Sequence, residues 1–119
     1  MRNGWAKYAL ERYSLLKKWR ELAEIVMRAC KDVLGKECST VYVVGGAAED
    51  RLTVLSDIDV VVVVGNSKLK TLETIISIKR RSEELGVPME APIDIKILTN
   101  DEFRELIKKG VYRKVVKIS

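Results

Sequence analysis

Residues 41 to 64, V-Y-V-V-G-G-A-A-E-D-R-L-T-V-L-S-D-I-D-V-V-V-V-V, constrain the fold more than any other stretch. Val41 to Val44 and Val60 to Val64 are β-branched runs bounded by turn residues, the pattern of two largely buried strands. Between them lies a polar loop that ends in Asp57 and Asp59. Burying a carboxylate without a partner costs several kcal/mol or forces it to take up a proton. Residues i and i+2 of a strand share one face, with Cα atoms roughly 7 Å apart, so both carboxylates are expected to converge on one or two bound metal ions.

The rest of the chain supplies what such a pair of strands needs for burial. Residues 4 to 34 carry Trp5, Tyr8, Leu15, Leu16, Trp19, Leu22, Ala23, Val26, Cys30 and Val33 at helical spacing, and Gly35 ends the pattern. Ser14 fits the cap of a second helix, so one long helix and two shorter ones both satisfy the spacing. The stripe is expected to cover the sheet; an exposed end would be a partner surface. Gly45-Gly46 makes a sharp exit from the first strand, and A-A-E-D-R-L a short helix after it.

Gly65-Asn66-Ser67 predicts a turn and N-cap opening a helix over 68–85, with Leu69, Leu72, Ile75, Ile76 and Leu85 inward and Gly86 closing it. Pro88 and Pro92 punctuate a loop before a third strand, 93–98. There I-D-I-K-I-L puts Asp94 and Lys96 on the face opposite three isoleucines, as in a half-exposed edge strand. Thr99-Asn100-Asp101-Glu102 reads as a capping box for a helix that stops at Gly110, and 111–118 as a final strand with Arg113, Lys114 and Lys117 in a basic tail. The expected class is α/β (α+β): a small mixed sheet of three to four strands flanked by helices. Residues 1–119 form one domain, comprising an N-terminal helical segment (4–34), a core (40–98) and a C-terminal helix and tail (100–119).

Composition narrows the chemistry. The 119 residues include no histidine, which excludes Ser-His and Cys-His nucleophile pairs and leaves carboxylates, lysine, arginine or metal. Cys30 and Cys38 form no C-x-x-C and are expected to be free thiols. The net charge of +5 is uneven: residues 37–66 hold one basic and five acidic side chains, against nine and four before them and twelve and eight after. An acidic centre between basic flanks suits divalent metal beside polyphosphate or nucleic acid. The longest apolar run falls far short of the ~20 residues of a spanning helix, and no signal peptide is recognisable, so no membrane association and a cytoplasmic location are expected.

Gly45-Gly46, ten residues, then Asp57-Ile58-Asp59-Val60, with Asp94 on a later strand, resembles the nucleotidyltransferase superfamily that includes DNA polymerase beta. Ser56 matches the serine often found before the first aspartate. The compact length is similar to the minimal nucleotidyltransferases of archaea and bacteria. The resemblance implies that Asp57, Asp59 and Asp94 are the catalytic, metal-binding residues, holding two Mg2+ ions, with Asp94 also helping to deprotonate the attacking hydroxyl. It assigns nucleotide binding to Gly45, Gly46, Ser56 and Arg51, and transfer of a nucleoside monophosphate, AMP from ATP first, to an acceptor hydroxyl. Minimal members frequently pair with a small helical partner, often as the antitoxin that adenylylates a toxin. With no room for an acceptor-binding domain, acceptor choice would come from a partner protein or a homo-oligomer.

One departure stands out: Glu49 occupies the position where minimal members often carry arginine, with Arg51 two residues later. It supports the alternative of a catalytically silent module that binds a partner protein. An RNA-binding role ranks last, since a single Phe and no aromatic cluster offer stacking surfaces.

Overall fold

The computed structural model describes residues 2–118, with side chains from Gly4 onward. Its elements run α1 (Arg2–Lys17), α2 (Trp19–Leu34), β1 (Cys38–Val44), α3 (Gly45–Ala48), β2 (Ile58–Val64), α4 (Leu72–Glu84), β3 (Ile93–Thr99), α5 (Asn100–Lys108) and β4 (Val116–Ile118). The strands form one mixed sheet in the order β3-β2-β1-β4. β1 is antiparallel to both β2 and β4, whereas β2 and β3 are parallel and joined across α4.

Strand alternation divides the molecule into two unequal cores. Val41, Val43, Val60, Val62, Ile95 and Ile97 point to the face covered by α2 and α4. Leu22, Ala23, Val26, Ala29 and Cys30 of α2 recur every three or four residues, so one helical stripe meets that face. Ile78 of α4 is fully buried there, and truncating it to alanine would cost about 2–5 kcal/mol. The opposite face is thinner. Tyr42, Val44, Val61, Val63 and Leu98 pack beneath Phe103 and Leu106 of α5, and Tyr42 stacks on Phe103 with ring centroids 4.4 Å apart.

The N-terminal segment is two helices, broken at Lys18 without glycine or proline. Leu16 at the end of α1 is buried, but Trp5, Tyr8 and Leu10 are 67%, 58% and 71% exposed. The apolar stripe therefore covers the sheet chiefly through α2, with only Tyr13 and Leu16 of α1 joining the same core among the described residues. The helix expected over 68–85 begins at Leu72, because Thr71 accepts a hydrogen bond from the Thr74 N–H, while Asn66 caps only a single turn at Ser67–Leu69. Leu69, Ile75 and Leu85 pack against the main core as expected, with Ile78 and Ser82 buried on the same side, whereas Leu72 and Ile76 are exposed. The last strand is three residues rather than eight, since 111–115 loops over α5 and buries part of Tyr112 and Val115. Thr99 and Glu102 form both halves of the expected capping box.

The free-thiol reading of the cysteines is overturned. Cys30 and Cys38 form a disulfide across Cα atoms 6.0 Å apart. Gly35 in the left-handed region and the turn Gly35–Glu37 fold the chain back, so the last turns of α2 lie beside the start of β1. Among the described residues no helix is long and apolar enough to cross a membrane.

Candidate active site

The carboxylates lie on the thinner face of the sheet, at the end that α5 leaves uncovered. In the parallel pairing of β2 and β3, Asp59 stands directly opposite Asp94, and in the antiparallel pairing Val44 stands opposite Asp59. One cross-sheet row thus reads Val44, Asp59, Asp94. Neighbouring strands run about 4.8 Å apart, which makes the two carboxylates close neighbours. Immediately after Val44 the chain turns at Gly45, with φ +70°, into the single turn of α3. A Cβ built on Gly45 would lie 2.5 Å from Asp59 Oδ2, so only glycine lets the backbone pass the carboxylate.

These residues line a cleft of about 380 Å³, shared with Glu49, Arg51, Lys96 and Tyr112. Arg51 donates to Glu49 Oε1 through Nη2 at 3.0 Å and Nε at 3.2 Å. Glu49 is the more enclosed partner, at 15% exposure against 64% for Arg51. Glu49 is therefore matched by the arginine two residues on, and both flank the cleft.

Asp57, Gly46 and Ser56 stand apart from the cleft lining. Asp57 precedes β2, which begins at Ile58, so the two aspartates are not both strand residues as the spacing predicts. Its Oδ1 accepts from Arg12 Nη2 at 2.8 Å. Ser56 Oγ accepts from the Thr53 N–H at 2.9 Å and lies 3.8 Å from where a Cβ on Gly46 would sit, closing the loop from within. Among the described residues no three Asp, Glu, Cys or His side chains are grouped to hold a metal ion.

Electrostatics nonetheless favours a cation beside Asp59. Its carboxyl is pushed above the ordinary carboxylate range, first by burial, then by the charges of Asp94 and Asp57, while Lys96 acts in the opposite sense. Excess negative charge on hard oxygen donors is what Mg2+ or Mn2+ relieves, so the donor set fits a divalent ion. Arg12 and Tyr112 were not visible as site residues in the sequence. Arg12 acts on groups 42 to 45 positions away, and no local pattern marks it.

The chain has counterparts among known proteins. The nucleotidyltransferase domain family matches residues 24–118. The chain belongs to that family, and its class is that of a nucleotidyl-transferring enzyme, at the small size of a minimal member. A crystal structure from Sulfolobus solfataricus, of a protein provisionally described as a nucleotidyltransferase, superposes with a TM-score of 0.59 at 17% identity, covering 92% of this chain and 85% of that one. At that identity the likeness is one of fold. No curated protein sequence matches.

Proposed function

We propose that this single-domain chain transfers a nucleoside monophosphate, AMP from ATP in the first instance, to an acceptor hydroxyl. The observation that carries the reading is the register of Asp59 against Asp94 beside Gly45, where a phosphate chain and its cations would meet paired carboxylates. Asp59 and Asp94, with Asp57, are the residues that would hold two Mg2+ ions. Bound there, the ions would offset charge on the phosphate oxygens during in-line displacement. Asp94 would accept the proton of the acceptor hydroxyl as its oxygen bonds to the α-phosphorus and the bond to the bridging oxygen breaks, releasing pyrophosphate. Gly45 and Gly46 would let backbone N–H groups approach the phosphates, Arg51 would meet their charge and Ser56 would hold the loop that presents Asp57.

The acceptor would be presented by a second protein, a small helical, toxin-like partner being the family's precedent, or by a second copy of the chain. The exposed Trp5, Tyr8 and Leu10 on α1 supply apolar surface for such a contact. With ATP as donor, the reaction would run in the cytoplasm. Calorimetric titration of Mg-ATP into the protein and into Asp59→Asn tests the reading: binding that depends on Mg2+ and disappears in the variant supports it.

Two ion pairs favour the second reading, a silent module that binds a partner protein. Glu49 engages Arg51, and Arg12 engages Asp57. Absence of Mg-ATP binding up to millimolar nucleotide selects that reading over transfer.

A further inference from the structure

Arg12 makes the tightest link between α1 and the carboxylate loop. Its Nε donates to the Val54 carbonyl at 2.8 Å, and its Nη2 donates to the Ser56 carbonyl and to Asp57 Oδ1, each also at 2.8 Å. The guanidinium is largely enclosed, with 19% of the side chain exposed. The loop it grips is already closed by its own bonds: the Thr53 N–H donates to Ser56 Oγ at 2.9 Å and the Ser56 N–H to the Thr53 carbonyl at 3.0 Å. Arg12 is thus not required to form the turn. What it adds is the docking of α1, whose Leu16 is buried while Trp5, Tyr8 and Leu10 face solvent.

We propose that Arg12 is a positioning residue that competes with a divalent cation for Asp57, so that docking of α1 and cation loading of the site oppose each other. The proposal rests on the reading of Asp57 as a metal ligand. While the guanidinium occupies Oδ1, one donor oxygen is engaged and a fixed positive charge stands where a cation would approach. A cation that takes Asp57 removes the charged anchor of α1. Linkage makes the effect reciprocal: whatever factor α1 docking takes from cation affinity, the cation takes from α1 docking. The segment freed is the one carrying the exposed aromatic residues, so loading would also change the surface offered to a partner.

The test titrates Mn2+ alone, without nucleotide, into the full chain and into Arg12→Gln, Asp57→Asn and Asp59→Asn, by calorimetry. Arg12→Gln is expected to bind Mn2+ about tenfold more tightly than the parent, because a competitor and a like charge are both gone. A merely structural arginine would weaken binding or leave it unchanged on removal. The unmutated chain gives a second readout: amide exchange across 9–16 should quicken when Mn2+ is added, and in Asp57→Asn should be fast already and indifferent to Mn2+. Equal or weaker binding by Arg12→Gln, or α1 exchange that Mn2+ leaves unchanged or slows, overturns the competition. If either of those results comes with Mn2+ binding that the parent shows and Asp59→Asn loses, the competition falls and the metal site stands. If no variant binds Mn2+ at millimolar concentration, both fall.

Discussion

Gly45 and Asp59 are packed so closely that a Cβ on the glycine would lie 2.5 Å from the aspartate's Oδ2, and the glycine itself sits at φ +70°. Gly45→Ala is therefore expected to lose about 1–2 kcal/mol from backbone strain, with more from displacing the carboxylate. Urea denaturation would report the stability loss, and a parallel loss of Mn2+ affinity would show that the carboxylate has moved.

The two neighbouring aspartates should respond oppositely to neutralisation. The native Asp59 carboxyl holds its proton more tightly than the unfolded chain does, so stability present below the ordinary value of 3.8 is lost as pH rises through the raised native one. Asp59→Asn should remove that liability and stabilise the metal-free protein at neutral pH, while abolishing transfer. Asp57→Asn breaks the pair with Arg12 and should lower stability by up to about 1 kcal/mol. Thermal melts in chelator separate the two signs; a destabilised Asp59→Asn counts against the electrostatic account.

Glu49→Gln should release Arg51 to meet phosphate and lower the negative charge of the cleft. Mg-ATP affinity is expected to rise by roughly threefold to tenfold, the range of one freed charge-assisted contact near a surface. Weaker binding in that variant would make Glu49 a contributor to the site instead of a brake on it.

Acid should loosen α5 first. The Lys70 hydrogen bond to Glu102, at 2.6 Å, is the main influence holding the Glu102 carboxyl below its ordinary 4.5, with the Thr99 N–H second. Stability from this lowered value is present above 4.5 and is lost as pH falls through the native one. Thr99→Ala should cost about 1 kcal/mol by removing the cap. Amide exchange over 100–108 at descending pH would show the acid opening in the parent, and faster exchange throughout in the variant.

Reduction should weaken the main core. The Cys30–Cys38 bond closes a short loop between α2 and β1, worth roughly 2.5 kcal/mol by loop-closure entropy. Denaturation with and without reductant, compared with the Cys30→Ser, Cys38→Ser double variant, checks that figure.

The parts legible in the sequence were those written in local period and turn chemistry. Val41–Val44 and Val60–Val64 announced buried strands, Gly45-Gly46 the exit, and Thr99 with Glu102 the capping box. The alternation in Ile93–Leu98 correctly placed Asp94 and Lys96 on the exposed face of an edge strand. Less legible were choices between equivalent signals. Asn66 and Thr71 are both good caps, and the structure uses each for a different turn, which moved the start of α4. The break at Lys18 carries no glycine or proline to mark it. Arg12 against Asp57 was beyond reach, because a pairing across 45 residues leaves no trace in spacing.

The unequal thickness of the two cores has a consequence for how this chain can change over time. The interior that secures the fold lies between the sheet and α2 and α4, whereas Asp59, Asp94, Lys96, Glu49 and Arg51 stand on the other side. A mutation that alters the chemistry of the cleft removes almost nothing from that interior. The charged side chains of the cleft, Glu49 and Arg51 among them, are therefore open to exchange without any compensating change in the fold.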